Sequence, residues 1–140
     1  MKKTIGAVAL AAMGLVSGAA LAASSTLTVD ILGPGGHSNG DYGNVNAVHA
    51  AARAVMNVEK AVPDAVVSHI NGGVSVNAIA ADAHFKVIIN GKDDADVKAK
   101  AAKATEAVLS GCQAENAFRG VKPGTKSADG QAMDIRCTVK

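Results

Sequence analysis

Gly33-Pro34-Gly35-Gly36-His37-Ser38-Asn39-Gly40 is the stretch on which the fold turns. Ahead of it, Ser25 to Leu32 alternates, with Leu27, Val29 and Ile31 on one side and Thr26, Thr28 and Asp30 on the other. That is the period of a half-buried strand. Behind it, Val45 to about Ala61 places Val45, Val48, Ala52, Val55 and Val62 at helical spacing, with Asn44 as the expected N-cap. The octapeptide therefore joins a strand to a helix. Its glycines open positive-φ conformations that a side chain makes costly. His37 and Ser38 stand at its centre, so the loop reads either as a ligand cradle or as a tight connection.

Downstream, Pro63-Asp64 ends the first helix and Ala65 to Asn71 reads as a short strand. Asn71-Gly72-Gly73 is a hairpin signal, and Ser75 to Asn90 follows as a longer strand with Phe85, Val87 and Ile89 on one face. Asp93 or Asp94 caps a second helix to about Ser110, striped by Val97, Ala101, Ala104 and Val108, with Gly111 as its expected stop. Two further strand candidates are Cys112 to Gly120 and Gln131 to Val139. The order β-α-β-β-α-β predicts an α+β, ferredoxin-like sandwich. It has two helices on one face of an antiparallel sheet and an additional C-terminal strand.

The chain opens on Met1-Lys2-Lys3-Thr4, an apolar run from Ile5 to Leu21, and Ala20-Leu21-Ala22. A basic start, a short apolar core and small residues at the end form a secretory signal peptide over residues 1–22. Residues 23–140 then make a single domain, periplasmic or secreted, with no membrane anchor after cleavage. The formal charge of +2 includes Lys2 and Lys3, so the remainder is near neutral. No basic cluster points to nucleic acid. Cys112 and Cys137 are the two cysteines, and in an oxidising compartment they pair as a disulfide.

His37, His49, His69 and His84 lack partners at metal-ligand spacing, so neither a metal nor another cofactor is expected. A triad of Ser38, His37 and Asp41 is stereochemically poor, because neighbouring side chains do not align a hydroxyl with an imidazole. No Gly-Lys-Ser/Thr follows the glycines, which excludes a phosphate loop.

Taken together, Gly35-Gly36-His37-Ser38, the helix Asn46-Ala47-Val48-His49-Ala50-Ala51-Ala52-Arg53-Ala54, and Gly72-Gly73-Val74-Ser75-Val76-Asn77 resemble the dimerisation (lid) domain of the M-twenty metallopeptidases. The resemblance covers about Leu27 to Leu109. It implies a ferredoxin-like lid and a homodimer formed through the first helix and an edge strand. Ala50, Ala51, Ala52 and Ala54 would permit the close approach. In that family the lid is inserted in a domain that binds two zinc ions, for which these 140 residues leave no room. Hydrolysis by the chain alone is therefore not expected.

The resemblance also implies that His37 reaches a partner's substrate and that Asn77 lies near it. Gly35, Gly36, His37, Ser38 and Asn77 become the candidate ligand-binding residues, toward a peptide or an amino-acid-like ligand. Two departures stand out. The family's Val-Asn-x-x-Pro is here Val76-Asn77-Ala78-Ile79-Ala80, and its Asp-x-Arg strand end is Ile88-Ile89-Asn90. A carboxylate would have to be gripped by Arg53, Arg119 or Lys86 instead. The reading is an exported, non-catalytic dimerisation or binding module. Its alternative is an accessory subunit lending His37 to a separately encoded metallohydrolase.

Overall fold

A computed structural model describes residues 22–140, so the leader reading lies outside the described residues apart from Ala22. The elements run β1 (Ala23–Leu32), β2 (Gly36–His37), α1 (Ala47–Ala61), β3 (Val66–Gly72), β4 (Ala78–Ile79), β5 (Asp82–Gly91), α2 (Asp94–Phe118) and β6 (Arg136–Val139). β3, β5, β1 and β6 form one four-stranded sheet in that order, and all three pairings are antiparallel. β2 and β4 form a separate ribbon. The βαββαβ order of the large sheet and its two helices is that of the ferredoxin-like sandwich.

The period-two reading of β1 and β5 holds in the packing. Val29 and Ile31 of β1 and Ala83, Phe85, Val87 and Ile89 of β5 are buried. Their antiparallel register puts Val29 opposite Phe85 and Ile31 opposite Ala83. With so little aromatic content, close packing of small side chains carries the core.

Of the expected stripe, Val45 and Val62 are buried and Val55 packs against the core, but within α1 the buried face is mostly alanine. Ala47, Ala50, Ala51, Ala54 and Val58 are inside, whereas Val48 and Ala52 are exposed. The reason lies on α2. A Cβ at Gly111 would stand 2.5 Å from both the Cα and the N of Ala54. The helices thus touch backbone to backbone, and only an alanine face allows it. The small side chains offered to a second copy in the sequence reading are spent mainly on contact within the chain. The N-cap is also two residues later than expected. Asn46 accepts hydrogen bonds from the N–H groups of Val48 and His49 at 2.9 and 3.2 Å.

The segment Cys112 to Gly120 is not a strand. α2 continues through Gly111, and Cys112, Glu115 and Asn116 are buried at helical spacing. Gly120, at φ 68°, ends the helix, with its N–H donating to Ala117 O and that of Val121 to Asn116 O. The fold class stands, but β6 closes the sheet as its fourth strand, and the additional C-terminal strand is not found among the described residues. The long strand from Ser75 is also divided, because residues 73–77 loop out and β4 turns to β2 instead of the sheet.

Cys112 and Cys137 are joined, with their Cα atoms 6.5 Å apart. The bond ties α2 to the edge strand β6, rather than stapling a terminal hairpin. Removing it in a C112A/C137S variant should lower stability by about 3.5 kcal/mol on the loop-entropy account. Urea unfolding with and without reductant measures this, and the double variant should ignore the reductant.

Candidate functional site

The ribbon β2–β4 is held at the end of the sheet by backbone hydrogen bonds on either side of it. Ile79 is buried, Gly33 N–H donates to Ala81 O at 2.8 Å, and Ala47 N–H donates to Ala80 O at 3.0 Å. Gly35 has φ 71° and Gly36 φ 140°. A Cβ on Gly36 would fall 2.6 Å from Cβ of Asp41, and one on Gly35 would fall 2.9 Å from Cβ of Ala81. Both glycines are therefore demanded by backbone geometry, whatever the loop binds.

That geometry delivers His37. Its N–H donates to Asp41 Oδ2 at 2.8 Å, and its carbonyl accepts from Asp41 N at 2.8 Å. Asn44 Nδ2 donates to Gly35 O at 2.8 Å. Gly36 pairs with Ile79 and His37 with Ala78, and Ser38 N–H donates to Asn77 O at 2.9 Å. All five sequence candidates, Gly35, Gly36, His37, Ser38 and Asn77, thus lie in one ribbon.

The side chains connect as well. Asn77 Nδ2 stands 3.2 Å from His37 Nε2, and Asn77 Oδ1 stands 2.9 Å from Ser75 Oγ. The Asn39 N–H points at His37 Nδ1 at 3.2 Å, making Nδ1 an acceptor. In the uncharged ring the proton then belongs on Nε2, and its best partner is the Asn77 carbonyl oxygen. A half-turn of the Asn77 amide provides it and leaves the amide NH2 for Ser75 Oγ. His37, Ser38 and Asn77 are exposed, as are Tyr42, Val74 and Val76 on the same loops. The result is a polar pair with an apolar fringe, suited to hydrogen-bonding a carbonyl or carboxylate.

Asp41 bonds to the backbone of His37 and not its ring, so no Ser-His-Asp relay forms. The other histidines are scattered. His49 is exposed on α1, His69 sits at φ 54° in a bulge of β3, and His84 lies between Asp30 and Asp82 at 3.6 and 3.2 Å. Among the described residues no group of three or more His, Cys, Asp or Glu could hold a metal ion. Lys86 is exposed on β5, whereas Arg53 and Arg119 converge on the buried Glu115.

Sequence reasoning missed Asp41, Asn44 and Ser75 as the residues that hold His37 and Asn77. Their signal was an Asx- and serine-rich pair of loops. Glu115 was missed because its segment was read as a strand.

The sequence matches the family described as peptidase dimerisation domain over residues 20–116. A search of the curated proteins returned no match. Among solved structures, an aminobenzoyl-glutamate utilization protein from Klebsiella pneumoniae is similar with a TM-score of 0.62 and 18% identity, over 85% of this chain and 28% of that one. A hydantoinase/carbamoylase family amidase from Burkholderia ambifaria gives 0.61 and 22%, over 84% and 27%. A tripeptidase from Staphylococcus aureus subsp. aureus gives 0.62 and 15%, over 85% and 29%. At these identities the likeness is one of fold, and the chain spans little more than a quarter of each of these structures.

Proposed function

The chain belongs to the peptidase dimerisation domain family, and from that premise we propose an exported, non-catalytic module that pairs with a second copy and presents His37 and Asn77 to a ligand. The observation that carries the pairing is the free edge of β3, which among the described residues pairs as a strand only with β5. An uncovered strand edge is a template for another strand. The bulge between Ser68 and Asn71 breaks the regular edge in its second half, which leaves Val66 to Ser68 for a two-fold seam. Val66, Ile70 and, on α1, Met56 are exposed apolar residues.

Sedimentation of the exported chain, residues 23–140, should give twice its monomer mass. Val66→Lys at the proposed seam should return it to monomer with an unchanged fold by circular dichroism. A monomeric parent chain overturns the pairing.

A second reading rests on the exposed His37 ring, whose hydrogen bonds are to uncharged groups only. It would act in trans beside a metallohydrolase encoded elsewhere. Copurification of such an enzyme from envelope extract, with its activity lost in His37→Ala, would favour that reading over a self-contained binding module.

A further inference from the structure

The described residues contain three Asn-Gly pairs, Asn39-Gly40, Asn71-Gly72 and Asn90-Gly91. Such a pair carries a chemical liability of its own. The glycine nitrogen can attack the asparagine side-chain carbonyl carbon, because no Cβ on the second residue stands in the way. The attack closes a five-membered ring only if the peptide plane between the two residues is free to swing toward the side chain. The fold gives the three pairs very different freedom.

Asn90 and Gly91 stand opposite Ser24 and Ala23 of β1. Lys100 Nζ donates to Asn90 O at 2.9 Å, and a Cβ on Gly91 would lie 2.8 Å from Val97 Cγ2. Asn71 and Gly72 stand opposite His84 and Ala83 of β5. Gly72 is so hemmed in that an added Cβ would fall 2.6 Å from Asp82 O. Asn39-Gly40 lies outside the strands, in the turn after β2, and both residues are exposed. A Cβ on Gly40 would meet nothing within 4 Å, and the Gly40 N–H has no backbone acceptor among the described residues.

We propose that Asn39-Gly40 is a site of spontaneous deamidation, with water as the only co-reactant, and that the reaction alters the turn holding His37. Gly40 N bonds to Asn39 Cγ as the Cγ–Nδ2 bond breaks. The side-chain nitrogen leaves as ammonia with the proton that Gly40 N gives up. Water then opens the succinimide, its hydroxyl going to a carbonyl carbon and its other proton to Gly40 N. Cleavage of the new N–Cγ bond yields aspartate in an ordinary backbone. Cleavage of the original peptide bond yields isoaspartate, with the chain routed through the side chain. Either product sets a carboxylate beside His37, whose Nδ1 faces the Asn39 N–H at 3.2 Å. Isoaspartate also adds a methylene to the backbone inside the turn closed by Asp41 N–H on His37 O. The inference rests on the turn and stands whether or not the ribbon binds a ligand.

The test incubates the full chain in mildly alkaline buffer, native and in guanidinium chloride, and follows each pair by peptide mapping with mass spectrometry. In the native chain Asn39 should convert roughly tenfold faster than Asn71 or Asn90, whose strands must first open. In denaturant the three rates should converge. Gly40→Ala needs no positive φ and has room for its methyl, and the methyl should slow conversion at Asn39 about tenfold by blocking the attack. In the isolated isoaspartyl fraction the Asp41 amide should exchange faster than in the parent. Native conversion at Asn39 no faster than at the other two pairs, or the same ranking in denaturant, overturns the proposal. So does a Gly40→Ala chain that converts like the parent, and an unchanged Asp41 amide overturns the effect on the turn. The comparison of native and denatured parent decides the site even if the variant fails to fold.

Discussion

Gly111→Ala is expected to destabilise the chain by about 3 kcal/mol, at the upper end of ordinary overpacking. The sign is opposite to that of the same exchange in an exposed helix interior, where alanine gains about 1 kcal/mol over glycine. The added Cβ would lie 2.5 Å from Ala54 Cα and N and 2.9 Å from Arg53 C, all backbone atoms. No rotamer relieves that contact. α1 and α2 must move apart, and the buried alanines Ala50, Ala51, Ala54, Ala104 and Ala107 lose neighbours that larger side chains could still have reached. Urea unfolding of Gly111→Ala beside Ser110→Ala, at an exposed position on the same helix, separates packing from propensity. A Gly111→Ala chain as stable as the parent would refute the close helix contact.

The same contact explains what the sequence could and could not yield. β1 and β5 alternate strictly, and alternation leaves only two choices of face, so their inward residues were legible. α1 carries His49, Arg53, Asn57, Glu59 and Lys60, but its apolar side is broad. Its valine stripe and its alanine stripe both have helical spacing, and the partner helix decides between them. Gly111 carries a C-cap signal by composition, but its role is set by Ala54 across the interface. Glu115 and Asn116, polar residues inside α2, likewise hid the last third of that helix. Beside the local contacts from Arg119 to Glu115 and from Asn116 to Gln113, their main partners are distant in sequence, Arg53 and Asn46 for Glu115 and the backbone of Ile135 for Asn116. The ribbon is a different case. His37 and Asn77 are 40 positions apart, and no local pattern joins them. Only the resemblance put them in one site; its motif includes Ser75 but gave no role to Ser75, Asp41 or Asn44, whose hydrogen bonds hold the pair in place.

Glu115→Ala is expected to cost about 3 kcal/mol, within the range for breaking a buried ion pair. The loss has three physical sources. The Asn46 N–H, at the start of α1, loses its acceptor. A cavity opens where a fully buried side chain stood. Arg53 and Arg119 are left as like charges around Phe118. Both arginines reach water, which moderates the third source. The converse variant, Arg53→Ala with Arg119→Ala, strands a buried carboxylate that has no access to water, and should cost about 5 kcal/mol. The order matters more than the values. If the salt bridges were of the ordinary surface kind, both changes would fall within about 1 kcal/mol. Hydrogen exchange supplies the structural half of the test. Loss of Glu115 should raise exchange at Val48 and His49, whose amides Asn46 caps, while β1 and β5 stay protected. Uniformly faster exchange would mean global destabilisation without a specific role at the start of α1.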